Sequence, residues 1–227
     1  MTGNIHLARL LQLASPALPV GAYSYSQGLE AATEAGLVRD AASAQQWISD
    51  VLEIAIAHME GPVLLRLHRA WRSGNHSAIT HWNELFLASR ETAELRAETL
   101  QMGYSLARLL GDLNSAPGSA CDGLRNMPEI AFPTAYACAS ADWNIPENET
   151  LIAYLWGWLE NQVMAGIKVI PLGQTSGQKI LLDLGGKLPD IATQVTAIND
   201  DDMGNFAPGL ALLSCNHETQ YSRIFRS

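Results

Sequence analysis

Apolar residues recur at intervals of three and four along most of this chain, and runs alternating apolar with polar residues are scarce. That period belongs to helices that bury one stripe. From Trp47 the positions Val51, Ile54, Ala55 and His58 form such a stripe, which places His58 on an apolar face as a core histidine. Gly61-Pro62 opens a second helix, because proline suits a first turn, and Val63, Leu64, Leu67, Ala70 and Trp71 follow until Ser73-Gly74-Asn75 breaks it. A third helix is predicted over 76–88. Ser89 then caps a long helix with Leu95, Thr99, Met102, Leu106, Leu109 and Leu113 facing inward, ended by Gly111 and a loop-like stretch at 114–123.

Pro133 sits in the first turn of a helix through "TAYACASAD", and Asn144-Ile145-Pro146-Glu147 has the form of a capping box. The helix after it carries Leu151, Tyr154, Leu155, Trp158, Leu159, Val163 and Ile167 around much of its circumference, so it lies centrally. Pro171 and Gly173 stop it, Thr175 or Ser176 caps the next, and Gly185-Gly186 is suited to a C-terminal cap. A further helix is expected near 188–198. The expectation is an all-α protein, one helical-bundle-like domain of about ten helices, ending in a docking tail near 208–227.

Composition adds a partner to this picture. Hydrophobic residues make up 48% of the chain and charged residues 16%, too few charges for an exterior that is solvated throughout. The net charge of −9 argues against nucleic acid, which needs a basic face, and against an anionic membrane surface. The opening apolar run is short, contains Arg9 and lacks a basic leader, and the helix near 151–170 holds Glu160, Asn161, Gln162 and Lys168. Neither a signal peptide nor a membrane span is expected, and a soluble cytoplasmic protein follows.

Candidate chemistry fares poorly. Ser24 and Ser26 follow Gly21 without a G-x-S-x-G elbow or a strand to aim it, and no phosphate-loop spacing of glycines is present. Of His58, His68, His76, His81 and His217 none forms an H-x-x-x-H pair; His76 and His81 are expected to face solvent. His217, beside Cys215, is the best metal candidate. The cysteines at 121, 138 and 215 fit neither a disulfide framework nor a C-x-x-C knuckle, and read as buried thiols. No catalytic residue, cofactor or metal set emerges.

Three segments keep groups that a core does not require. "SPALPVGAYSYSQGLEAA" places Tyr23, Ser24, Tyr25, Ser26 and Gln27 after stiffening prolines, a mixture suited to a preorganised protein contact, although a turn with an N-terminal cap explains the serines equally well. "IKVIPLGQTSGQKILLDL" clusters Lys168, Gln174, Gln178 and Lys179; Lys168 is also favoured simply by its place at a helix C-terminus. "HETQYSRIFRS" carries Tyr221, Ile224, Phe225 and two arginines, unlike a disordered tail, and is expected to dock.

"LLQLASPALPVGAYSYSQGLE", "SRETAELRAETLQMG", "WLENQVMAGIKVIPLGQTSGQKILL" and "HETQYSRIFRS" resemble motifs of the UreF family of urease accessory proteins, in the family's order and over almost the whole chain. The resemblance implies a helical protein without catalysis of its own. It assembles with the scaffold UreD (also called UreH) and the GTPase UreG to deliver nickel to apo-urease, the nickel being held by the partners. It also implies a homodimer, recruitment of the GTPase around Tyr23 and Arg223, scaffold contacts from His217, Glu218, Tyr221 and Phe225, and a less defined basic region at Lys168 and Lys179. Family members have been proposed to regulate GTP hydrolysis, the alternative function. Whether His217 or Cys215 touches nickel in passing is left open.

Overall fold

A computed structural model describes residues 3–113 and 120–227; most of the loop expected at 114–123 lies outside the described residues. Among the described residues there are eleven α-helices: α1 Gly3–Ala14, α2 Leu29–Glu34, α3 Ala41–Val51, α4 Gly61–Ser73, α5 His76–Ala88, α6 Ala93–Leu113, α7 Phe132–Asp142, α8 Glu147–Val169, α9 Gln174–Gly185, α10 Leu188–Ala197 and α11 Pro208–Glu218. The described residues form no strand, and the all-α expectation holds. None of these helices is long and apolar enough to cross a membrane.

The apolar circumference of α8 places it at the centre. Leu151, Leu155, Leu159 and Val163 are buried, and α1, α2, α4, α9 and α10 all pack on it. A second layer joins α4, α5, α6 and α7. The chain entering α7 is held by buried polar side chains: Asn83 accepts from the Ala131 amide at 3.0 Å and from Thr134 Oγ1 at 2.8 Å, while Thr99 accepts from the Phe132 amide at 2.9 Å. Those bonds satisfy donors that a helix start leaves without partners. α6 can lie against this segment because residue 103 is glycine.

Several boundaries fall where proline and glycine put them. α5 spans His76–Ala88, α4 closes on left-handed Gly74, and α7 carries Pro133 in its first turn. Others differ for local reasons. Gly61-Pro62 does not begin a separate rod, because the π-helical segment Leu52–Glu60 joins α3 to α4. A proline ring crowds the carbonyl one turn before it, and widened turns relieve that crowding. The wider turns also rotate the stripe: Ile54 and His58 face solvent, while Leu52, Ala55, Ile56 and Met59 are buried. His68, not His58, is buried on this stretch, with its Nε2 donating to the Ile145 carbonyl at 3.0 Å and burial lowering its pKa.

Thr92 caps α6 in place of Ser89, accepting from the Leu95 amide at 3.2 Å, and Leu113 at its far end is exposed. Asn144 forms no capping box. It adopts a left-handed φ of 57° after α7, and Glu147 turns instead to Arg69 at 2.8 Å. α9 begins at Gln174 with Thr175 and Ser176 inside its first turn; Gly186 is right-handed, and Gly185 leaves room for Trp156.

Two glycines of α6 separate close packing from helix propensity. A Cβ at Gly103 would stand 2.0 Å from the Ile130 carbonyl oxygen, whereas one at Gly111 meets only the mobile end of Arg125 at 3.2 Å. Gly103→Ala is expected to cost about 3 kcal/mol or more in urea unfolding, as overpacking against backbone does. Gly111→Ala should be neutral or stabilising by up to about 1 kcal/mol.

Candidate functional site where the turn meets the tail

The segment between α1 and α2 and the last residues of the chain lie against each other. Gln27 and Gly28 both take positive φ, 51° and 80°, which turns the chain sharply into α2. Glycine takes such a φ without strain, but Gln27 needs support. Its side chain supplies that support by donating to Glu98 Oε1 at 2.7 Å and accepting from Trp158 Nε1 at 2.7 Å. Asn161 holds the Tyr25 carbonyl at 3.0 Å, so α8 grips the turn from below.

The tail closes over it. Ser227 offers its carbonyl oxygen to the amides of Ser26 and Gln27, at 2.8 and 3.1 Å, and to Ser26 Oγ at 2.6 Å. The Arg226 amide donates to the Ser24 carbonyl at 2.8 Å. Glu30, buried in α2, accepts from the amides of Ile224 and Phe225 at 2.7 and 2.9 Å. His217 lies between two carboxylates, Nε2 at 3.2 Å from Glu30 and Nδ1 at 2.7 Å from Glu94, so a ring with a proton on each nitrogen donates to both. Arg223 completes the group with a 2.6 Å bond to Glu94. Two carboxylates, Glu30 and Glu94, thus share one imidazole and one guanidinium in a single group.

Among the described residues Glu98 has no such counter-ion in contact. It accepts from Gln27 Nε2 and from Ser227 Oγ, the latter at 2.9 Å, and burial pushes its pKa up to about 7. Beneath it a cavity of about 210 Å³ runs between the turn and α8. Leu18, Val20, Met102 and Phe132 line its walls, and the buried Arg90–Glu60 pair, 2.9 Å apart, lies deeper, with Tyr154 donating to Glu60 at 2.7 Å.

On the outside, Lys168 Nζ reaches toward the Tyr23 carbonyl at 3.4 Å and stands 5.2 Å from the Phe225 ring and 6.0 Å from that of Tyr23. Tyr23 stays exposed beside it, and Tyr221 and Ile224 of the tail are exposed as well.

Residues 38–185 match the family described as UreF. A urease accessory protein UreF from Azoarcus sp. (strain BH72) is 54% identical over 99% of this chain and 97% of its own length. Relatives of the same name from Methylobacillus flagellatus and Dechloromonas aromatica are each 50% identical, over 100% and 98% of both chains respectively. The chain belongs to the UreF family of urease accessory proteins. It is an accessory factor, not an enzyme.

In this UreF protein the residues singled out from sequence divide by place. Tyr23, Lys168, Tyr221 and Arg223 are exposed beside the turn and tail, with Ser24 at their edge. Tyr25, Ser26, His217 and Phe225 are buried and hold the tail to the turn, as does Gln27. Glu218 caps α6, accepting from the Ala93 amide at 2.9 Å. Gln174 and Lys179 are exposed on α9, and among the described residues no hydrogen bond links them to the turn or tail. Cys215 is exposed while His217 points inward with both nitrogens engaged, and the described residues contain no cluster of three or more groups able to hold a metal ion.

Sequence reasoning missed Glu30, Glu94, Glu98 and Asn161. Glu98 carried a readable signal, since it shares the buried face of Leu95 and Met102 at helical spacing.

The raised pKa of Glu98 makes stability depend on pH. In the unfolded chain its carboxyl releases its proton near 4.5, in the folded chain near 7, so the folded state binds the extra proton between those values. Stability contributed by that proton is present at low pH and falls as pH rises through about 7, by on the order of 3 kcal/mol. Glu98→Gln keeps an acceptor for Gln27 and offers an amide that the Ser227 hydroxyl can accept from by rotating, without ionising. Urea unfolding at pH 5 and pH 8 should show this loss in the wild type and a nearly flat response in the variant; equal slopes would contradict the assignment.

Proposed function

We propose that this protein acts in urease maturation as a non-catalytic adaptor, presenting the joined turn and tail to a GTPase of the UreG kind while it sits on a scaffold of the UreD/UreH kind. The assembly delivers nickel to apo-urease, with the metal carried by the partners. The observation that carries this reading is the seated tail, which sets Arg223 and Tyr221 beside a turn whose Tyr23 is exposed next to Lys168. Exposed tyrosine and arginine on a rigid support suit a protein partner, because little side-chain order is lost on binding. Work in the cytoplasm and as a homodimer fits the same role.

A regulator that inserts an arginine toward the partner's nucleotide is the second reading. Arg223 is already bound to Glu94 at 2.6 Å, which favours recruitment over such insertion.

Point variants test this better than truncation, since removing 217–227 strips the partners of Glu30, Glu94 and Glu98 together. Light scattering after size exclusion, on mixtures with UreD and UreG, should show Arg223→Ala and Tyr23→Ala still bound to the scaffold. Their affinity for the GTPase should fall at least about tenfold, equivalent to about 1.4 kcal/mol. GTP turnover per bound GTPase should be unchanged. Wild-type affinity in both variants would overturn the adaptor surface, and a selective fall in turnover would favour the nucleotide-directed reading.

A further inference from the structure

Away from the turn and tail, the chain from Ala120 to Asn126 forms a 3-10 turn against α7 and the end of α6. Leu124 anchors it in the core, and Gly123 lets the Trp71 ring approach, since a Cβ there would stand 3.2 Å from that ring. The turn carries Cys121, buried at its start, and α7 carries Cys138, buried completely. Their sulfur atoms are 2.9 Å apart. The sequence offered no reason to pair them: they lie 17 residues apart in a chain with an odd number of cysteines.

We propose that Cys121 and Cys138 are a modification site, a dithiol that a peroxide converts to an intramolecular disulfide, clipping the 120–126 turn to α7. A disulfide brings sulfurs to about 2.05 Å, so from 2.9 Å the further approach is less than about 1 Å. Both anchors are already fixed by packing, and neither backbone must cross a gap.

The chemistry balances with hydrogen peroxide as the two-electron oxidant. Cys121, the less deeply buried of the pair, loses its thiol proton and attacks one peroxide oxygen. The O–O bond breaks, hydroxide leaves and takes up that proton as water, and Cys121 becomes a sulfenic acid. The Cys138 sulfur then attacks the Cys121 sulfur, the S–O bond breaks, and the departing hydroxide takes the proton that Cys138 holds toward Cys121 in the reduced structure. One peroxide is reduced to two waters and two thiols are oxidised to one disulfide.

Burial pushes the Cys138 thiol far above its ordinary pKa, which disfavours it as the first thiolate, and its sulfur contact with Cys121 at 2.9 Å is what suits it to resolve. Cys215, exposed on α11, is the competing thiol. It would report as links between chains, and a Cys215→Ser background removes it.

The experiment treats Cys215→Ser protein with hydrogen peroxide, digests it without reduction and counts thiols in denaturant by mass spectrometry. Expected are a cross-linked peptide pair containing Cys121 and Cys138, a mass loss of two hydrogens, disappearance of both thiols together, and a rise in Tm. Closing a loop of this size raises Tm by roughly 5–10 °C, reversed by dithiothreitol. Cys138→Ser in the same background should show no such rise and should leave Cys121 as a sulfenic acid trapped by dimedone. Two thiols that persist under peroxide, or Cys121 oxidised alone to sulfinic acid while Cys138 stays reduced, would overturn the proposal.

Discussion

One buried carboxylate determines where the last residues of this protein lie. Glu30 is placed inside by α2, and a carboxylate there needs donors, because an unpaired buried charge costs several kcal/mol. The tail supplies two amides, from Ile224 and Phe225, and α11 supplies His217. Once these bonds exist, Phe225 is carried inside and Ser227 lands on the amides of Ser26 and Gln27. A segment that would fray if it were only polar and terminal thereby becomes part of the domain. Its outward side chains then share one surface with the turn.

The turn depends in its own way on α8. Trp158, Asn161 and Lys168 contact Gln27, the Tyr25 carbonyl and the Tyr23 carbonyl in order along the helix. Their spacings of three and seven residues keep them on one face. The face of α8 that carries polar groups is therefore not a solvated side of a core helix but the bed of the candidate interface. The same geometry puts Glu98 between turn and tail, where burial pushes its pKa up to about 7.

Much of the helix order was legible because proline and glycine act locally. Pro133, Gly74 and the pattern over 76–88 mark boundaries that no distant contact alters. The π-helical stretch before Pro62 was not legible, since a period of 3.6 presumes the geometry that the proline disturbs; Ile54 and His58 moved outside for that reason. Tyr23, Arg223 and Phe225 stood out as groups a core does not need. Their meeting across some two hundred positions, through Glu30 and Glu94, left no local mark, because single glutamates in helices ordinarily face water.

The most direct test of the central claim is hydrogen–deuterium exchange at the amides of Ile224 and Phe225 in the isolated protein, without any partner. If Glu30 seats the tail, both amides exchange at least about a hundredfold slower than in an unstructured peptide, and Glu30→Ala returns them to the peptide rate. Peptide-rate exchange in the unaltered protein would contradict the account, since the tail would then be ordered only by a partner.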